Sequence, residues 1–84
     1  MIKTYLAILH PERNGYWVSY PDVDGCYSDG ESLEEAIANA QEALALHLSA
    51  LVELEQALPQ ATNLSRLKEV DDIVEYEYIT VEML

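Results

Sequence analysis

No glycine or proline interrupts the chain between Glu31 and Leu58, and along that stretch Leu33, Ile37, Ala40, Leu44, Leu48 and Leu51 recur at steps of three and four. This spacing places those six side chains on one stripe of an α-helix. The run of steps turns polar at Glu55, and Pro59, which cannot continue a helix, marks the expected stop. Ser32 stands where an N-cap is needed, and Glu35 three residues later completes a capping box. Glu31, Glu34 and Glu35 put negative charge where the helix dipole favours it. A helix apolar along one stripe must bury that stripe against another layer, so the flanking segments decide the fold.

Those segments read as strands. Ile2 to His10 is β-branched, aromatic and aliphatic, with apolar side chains on both parities. Pro11 to Gly15 carries an Asn-Gly hairpin signal, and Tyr16 to Tyr20 resumes as a second strand, with Tyr16, Val18 and Tyr20 on one face and Trp17 and Ser19 on the other. Pro21 to Gly25 breaks it, Cys26 to Ser28 suffices for a short third strand, and Asp29-Gly30 reads as another turn. After Pro59 comes a connection with one short helical turn expected at Leu64 to Lys68, capped by Asn63. Ile73 to Leu84 alternates and is rich in Val, Ile, Tyr and Thr, a strand whose expected core face is Val74, Tyr76 and Tyr78. The order β-β-β-α-β predicts an α+β two-layer domain, an antiparallel sheet with one long helix on one face.

One helix covers one side of such a sheet. The other side, with Trp17, Ile79 and Val81, is left needing cover, which predicts a homodimer or larger oligomer with those three residues at its interface. Eighty-four residues make one domain with a small core. A single cysteine, Cys26, allows no internal disulfide and fits a reducing compartment. The N-terminus lacks the features of a secretory signal and no apolar run reaches the length of a membrane span, so a cytoplasmic protein away from membranes is expected. Sixteen Asp and Glu face four Lys and Arg, with no basic residue between Arg13 and Arg66. Such a surface repels phosphate and argues against direct nucleic-acid binding; it serves solubility, or it meets a basic partner.

Specific chemistry is hard to place on these residues. Asp22, Asp24, Asp29 and Glu31 could be oxygen ligands, but counting from Asp22 puts Cys26 and Tyr27 where a calcium loop needs an acid and a glycine. A magnesium nuclease pair would need carboxylates converging from different elements, with a basic residue near. Cys26 has acidic neighbours, which blunt a thiol, and reads as a small buried hydrophobe. His10, at a strand end, reads as solvated, and His47 as a half-buried edge residue beside the helix stripe. The two histidines and the cysteine have no zinc spacing. No glycine-rich phosphate cradle or serine elbow is present. The reading is a binding module with no catalytic residue, metal or cofactor.

The hairpin IKTYLAILHPERNGYWVSY followed by YPDVDGCYSDGESLEEAIANAQEALALHL resembles the N-terminal domain of HicB family antitoxins. The resemblance rests on Tyr20-Pro21-Asp22, Gly25-Cys26, Ser28, Gly30, Ser32, Glu34-Glu35-Ala36, Asn39-Ala40 and Glu42-Ala43-Leu44. It implies a partial ribonuclease-H-like fold without ribonuclease activity, acting as the antitoxin of a type II pair. It also implies a partner, a small basic HicA-like toxin that cleaves messenger RNA with a catalytic histidine, and assembly into dimers or larger oligomers. Members of the family commonly carry a C-terminal DNA-binding domain; residues 1–84 are expected to be a single HicB-like domain without that part, either as a fragment or as a short member of the family. The loop acids Asp22, Asp24, Asp29 and Glu31 are the expected partner contacts. The rival functions are a residual metal-dependent nuclease and a stand-alone oligomeric scaffold.

Overall fold

A computed structural model describes residues 1–61 and 75–83. Its elements are β1 (Ile2–Glu12), β2 (Gly15–Ser19), β3 (Tyr27–Gly30), α1 (Leu33–Glu53) and β4 (Glu75–Glu82). The strands form one antiparallel sheet in the order β3-β2-β1-β4, and α1 lies across one face, the expected α+β two-layer arrangement. The short turn anticipated at Leu64 to Lys68 and the inward Val74 fall outside the described residues.

The N-terminus of α1 forms as its sequence dictates. Ser32 has extended backbone, and its Oγ accepts a hydrogen bond of 3.1 Å from the Glu35 amide, satisfying one of the first-turn donors. The C-terminus does not wait for Pro59. The helix ends at Glu53, Leu54 caps it, and Glu55 adopts the left-handed conformation at φ 59°. The Glu55 amide donates to the Val52 carbonyl at 3.0 Å and the Gln56 amide to the Leu51 carbonyl at 2.9 Å. That pair of bonds is a Schellman closure, and the carbonyls it satisfies offset the strain of a non-glycine residue there. Pro59 serves otherwise: its carbonyl accepts the Tyr5 hydroxyl at 2.6 Å, tying the segment after the helix to β1.

Asp29 and Gly30, expected as a turn, belong to β3, where they pair with Trp17 and Tyr16. The glycine is needed for a close approach: a β-carbon at Gly30 would stand 2.6 Å from Ala36 Cα and 2.8 Å from the Glu35 carbonyl carbon. The helix sits directly on this strand. Its buried stripe accordingly starts at Ala36 and runs through Ala40, Leu44 and Leu48, while Leu33 is 38% exposed. Against it pack Tyr5, Ala7 and Leu9 of β1, Val18 of β2, Tyr20, Val23 and Cys26 of the β2–β3 connection, and Ile79, Val81 and Met83.

The face assignment for β4 is reversed. Ile79 and Val81, expected on the uncovered side, are 4% and 3% exposed in the core beneath the helix, whereas Tyr78 is 53% exposed on the opposite face. The pairing with β1 decides this: Tyr5 opposes Ile79 and Lys3 opposes Val81, and residues directly opposite in an antiparallel pair share a face. A one-residue difference in register turns every side chain over. Ile79 and Val81 are therefore not available to an oligomer interface on the open face; Trp17, half-buried, does lie there. That face is also less bare than anticipated, because Leu6 and Ile8 on it are 1% and 6% exposed within the single chain.

Two amide side chains close the sheet edges. Met1 and Met83 exchange hydrogen bonds of 2.7 and 2.8 Å, so in this pair the residues of β4 alternate, and the Thr80 carbonyl points away from β1. Gln41 of α1 donates to it at 2.8 Å, and Asn39 donates to the Asp29 carbonyl of β3, on the other edge, at 2.9 Å.

Candidate protein-binding surface

The four loop acids do not form one cluster. Asp22 and Asp24 lie in the β2–β3 connection, and Asp29 and Glu31 lie at the far end of β3, next to the β1–β2 turn. There Asp29 and Glu31 join Glu12 and Glu35 around a shallow pocket completed by Asn14 and Gly30. Glu12 and Glu35 were not among the expected partner contacts; only the pairing of Glu12 with Gly15 and of Tyr16 with Gly30 brings the turn and the helix start together. Asp24, Asp29 and Glu31 are exposed, and Asp22 is half-buried. Asp22 is close enough to act on Tyr5, whose phenol is pushed up by burial and further by that carboxylate.

On the open face, cross-strand register builds an aromatic group. His10, Trp17 and Asp29 lie in one row across β1, β2 and β3. The His10 ring stacks on Trp17 with centroids 3.8 Å apart and planes 10° apart, and its Nε2 is 2.9 Å from Ser19 Oγ. Tyr27 tilts against Trp17 at 6.3 Å. His10 is thus half-buried rather than freely solvated, and burial lowers its pKa. Cys26 is buried, with its thiol pushed up by loss of water, in keeping with a packing role. Among the described residues no three His, Cys, Asp or Glu side chains gather as metal ligands. No described helix is long and apolar enough to cross a membrane.

Tyr20 fastens the β2–β3 connection to the helix: its buried hydroxyl donates to the Ala40 carbonyl at 2.7 Å. Burial, with a smaller contribution from Cys26, raises the phenol well above its ordinary 10.0. Because the folded state holds this proton more tightly than the unfolded chain does, the associated stability is complete below about pH 10 and is lost as pH rises further. Tyr5 and Cys26 shift in the same direction. Urea midpoints are therefore expected to be level from neutral pH to about pH 9 and to fall above it, with a shallower fall in Tyr20→Phe. An identical alkaline slope in that variant would show that Tyr20 is not the group responsible.

Residues 5–84 match a family model described as the HicB-like antitoxin of a bacterial toxin-antitoxin system. An uncharacterised 14.9 kDa protein of Haemophilus phage HP1, from its rep-hol intergenic region, is 40% identical over 57 residues; the match covers 68% of this chain and 43% of the phage protein, so the chain aligns with less than half of that relative. Among solved structures, the N-terminal domain of the Burkholderia pseudomallei antitoxin HicB superposes with a TM-score of 0.82 at 26% identity, covering 96% of this chain and 100% of that one. A chain from a complex of HicA3 and HicB3, toxin and antitoxin, superposes with a TM-score of 0.73 at 25% identity, covering 92% of this chain and 95% of the other.

Proposed function

The chain belongs to the HicB-like antitoxin family of bacterial toxin-antitoxin systems, and from that premise we propose that it binds a HicA-type toxin and holds it inactive by covering its RNA-cleaving surface. The observation that carries this reading is the family match joined to the placement of charge. Exposed carboxylates stand at both ends of the β2–β3 hairpin, and Lys3 and Arg13 are the only basic side chains among the described residues. A protein that grips RNA presents cations to phosphate, and carboxylates held on a rigid hairpin can occupy the same cations. The acids also steer encounter, because opposite charge on two partners raises the association rate and makes it sensitive to salt. On this reading the domain is a binding module that makes no direct contact with nucleic acid. Asp24, Asp29 and Glu31 are the leading contacts, with Asp22 behind them because it is half-buried. A solved relative is a complex of HicA3 with HicB3, which supports a protein partner of this kind.

The test is neutralisation of charge without change of shape. A variant combining Asp22→Asn, Asp24→Asn, Asp29→Asn and Glu31→Gln removes four of the sixteen carboxylates. It is expected to bind the toxin at least about tenfold more weakly at low salt, and to show a flatter salt dependence. Unchanged affinity and unchanged salt slope would move the interface off these two loops.

A further inference from the structure

We infer that the toxin is held at one further place on this domain, a shallow groove between the solvent side of α1 and the β3 edge, which takes an apolar side chain of the partner flanked by lysine or arginine. This inference rests on the antitoxin reading and adds a surface to it. The groove is lined by Gly25, Cys26, Tyr27, Ala43, Leu46 and His47. Leu46 is 67% exposed and Tyr27 64%, although both are large and apolar enough to be expected inside. Leu46, Ala50 and Leu54 follow one another at steps of four, so the apolar line continues along the helix to its C-cap, where Leu54 is also 67% exposed. This line is separate from the buried stripe of Ala36, Ala40, Leu44 and Leu48 and contributes nothing to the core.

The charge around the groove selects the occupant. Glu42 lies one turn before Leu46 on the same side of the helix, and Asp24 precedes Gly25 at the opposite wall. Both acids are exposed. A second copy of this chain docked here would set its acids against the same acids, which is unfavourable, whereas a basic segment is drawn in. Nor is the β3 edge open to simple strand addition, because Asn39 already occupies the Asp29 carbonyl. The partner is thus met by side chains in the groove and by carboxylates at its rim.

The experiment compares Leu46→Lys with Val52→Lys. Both put one positive charge on exposed helix positions, Val52 being 44% exposed and on the side of α1 toward β4. The probe is a HicA-type toxin in a catalytically inert form, titrated by calorimetry. Leu46→Lys is expected to weaken binding by about 30-fold or more, with Val52→Lys within about threefold of the parent. Equal affinities for the parent and Leu46→Lys, with binding intact, would overturn the groove and leave the antitoxin reading standing. Failure of the parent chain itself to bind would remove that reading and the groove with it. Light scattering gives the remaining outcome: a parent that is dimeric and a Leu46→Lys variant that is monomeric would assign the groove to a second copy and overturn the inference.

Discussion

Replacing Gly30 by alanine is expected to destabilise the domain by about 3 kcal/mol or more, read as a fall in the midpoint of urea unfolding. The added β-carbon would meet the Ala36 amide nitrogen, Ala36 Cα at 2.6 Å and the Glu35 carbonyl carbon at 2.8 Å. All three are backbone atoms of the opening turns of α1, so no side-chain rotation relieves the contact. The helix must lift off β3, and Ala36 and Ala40, both 0% exposed, would lose contact with the sheet. Overpacking a core usually costs about 1–3 kcal/mol, and a purely backbone obstacle belongs at the upper end. In a domain of this size that is a large share of a total of about 5–15 kcal/mol. Gly25 supplies the contrast. It sits at φ 80°, yet a β-carbon there would meet only His47 Cε1 at 3.8 Å. Gly25→Ala should cost about 1–2 kcal/mol, for backbone conformation alone. A larger loss at Gly25 than at Gly30 would contradict the close helix–strand packing.

The second large effect concerns β4. Ile79→Asp is expected to cost about 4 kcal/mol or more, because the carboxylate would be placed opposite Tyr5 in a cluster that leaves the position 4% exposed. Either the charge is buried unpaired or the group takes up a proton at further cost. Thr80→Asp, one residue on, should cost about 1 kcal/mol or less. It loses a 2.8 Å hydrogen bond between the Thr80 and Thr4 hydroxyls and stays in water. Circular dichroism melts of the two variants compare the two faces of the strand directly. Equal losses, or a greater loss at Thr80, would return β4 to the register in which Tyr76 and Tyr78 face the core.

Gly30 and Ile79 separate what neighbouring residues encode from what only the packed sheet decides. Helix existence and its N-cap were legible because both depend on residues within four positions of each other: the apolar steps, Ser32 and Glu35. The β1–β2 hairpin and the division of β2 into a Val18 face and a Trp17 face were legible for the same reason. Asp29-Gly30 was misread because the residue pair that forms a turn also allows close packing, and only Ala36, six residues from Gly30, distinguishes the two. The helix end was misread because Pro59 is the stronger local breaker, yet Leu51, Val52, Glu55 and Gln56 satisfy one another first. For the candidate surface, the sequence located Asp22, Asp24, Asp29 and Glu31 in connections. It could not show that the hairpin parts them into two pairs, or that Glu12 and Glu35 stand beside the second. Asn39 and Gln41 carried no local sign of their purpose, since an edge carbonyl exists only once the sheet is assembled.

By itself the sequence determined the class of the domain, the order of its elements, the start of its helix, its acidity and its kinship, all of which rest on neighbouring residues or on sums over the chain. Only the tertiary structure decided which parity of β4 faces inward. That parity follows from pairing with β1 across separations that run from Leu9–Glu75 to Ile2–Glu82, far beyond any local signal, and Ile, Val and Tyr all suit either face of a strand. It alone also decided that Leu46 and Tyr27 remain outside. A helix with two apolar lines has one sheet face to bury them, and the close seat of Ala36 on Gly30 fixes which line turns in.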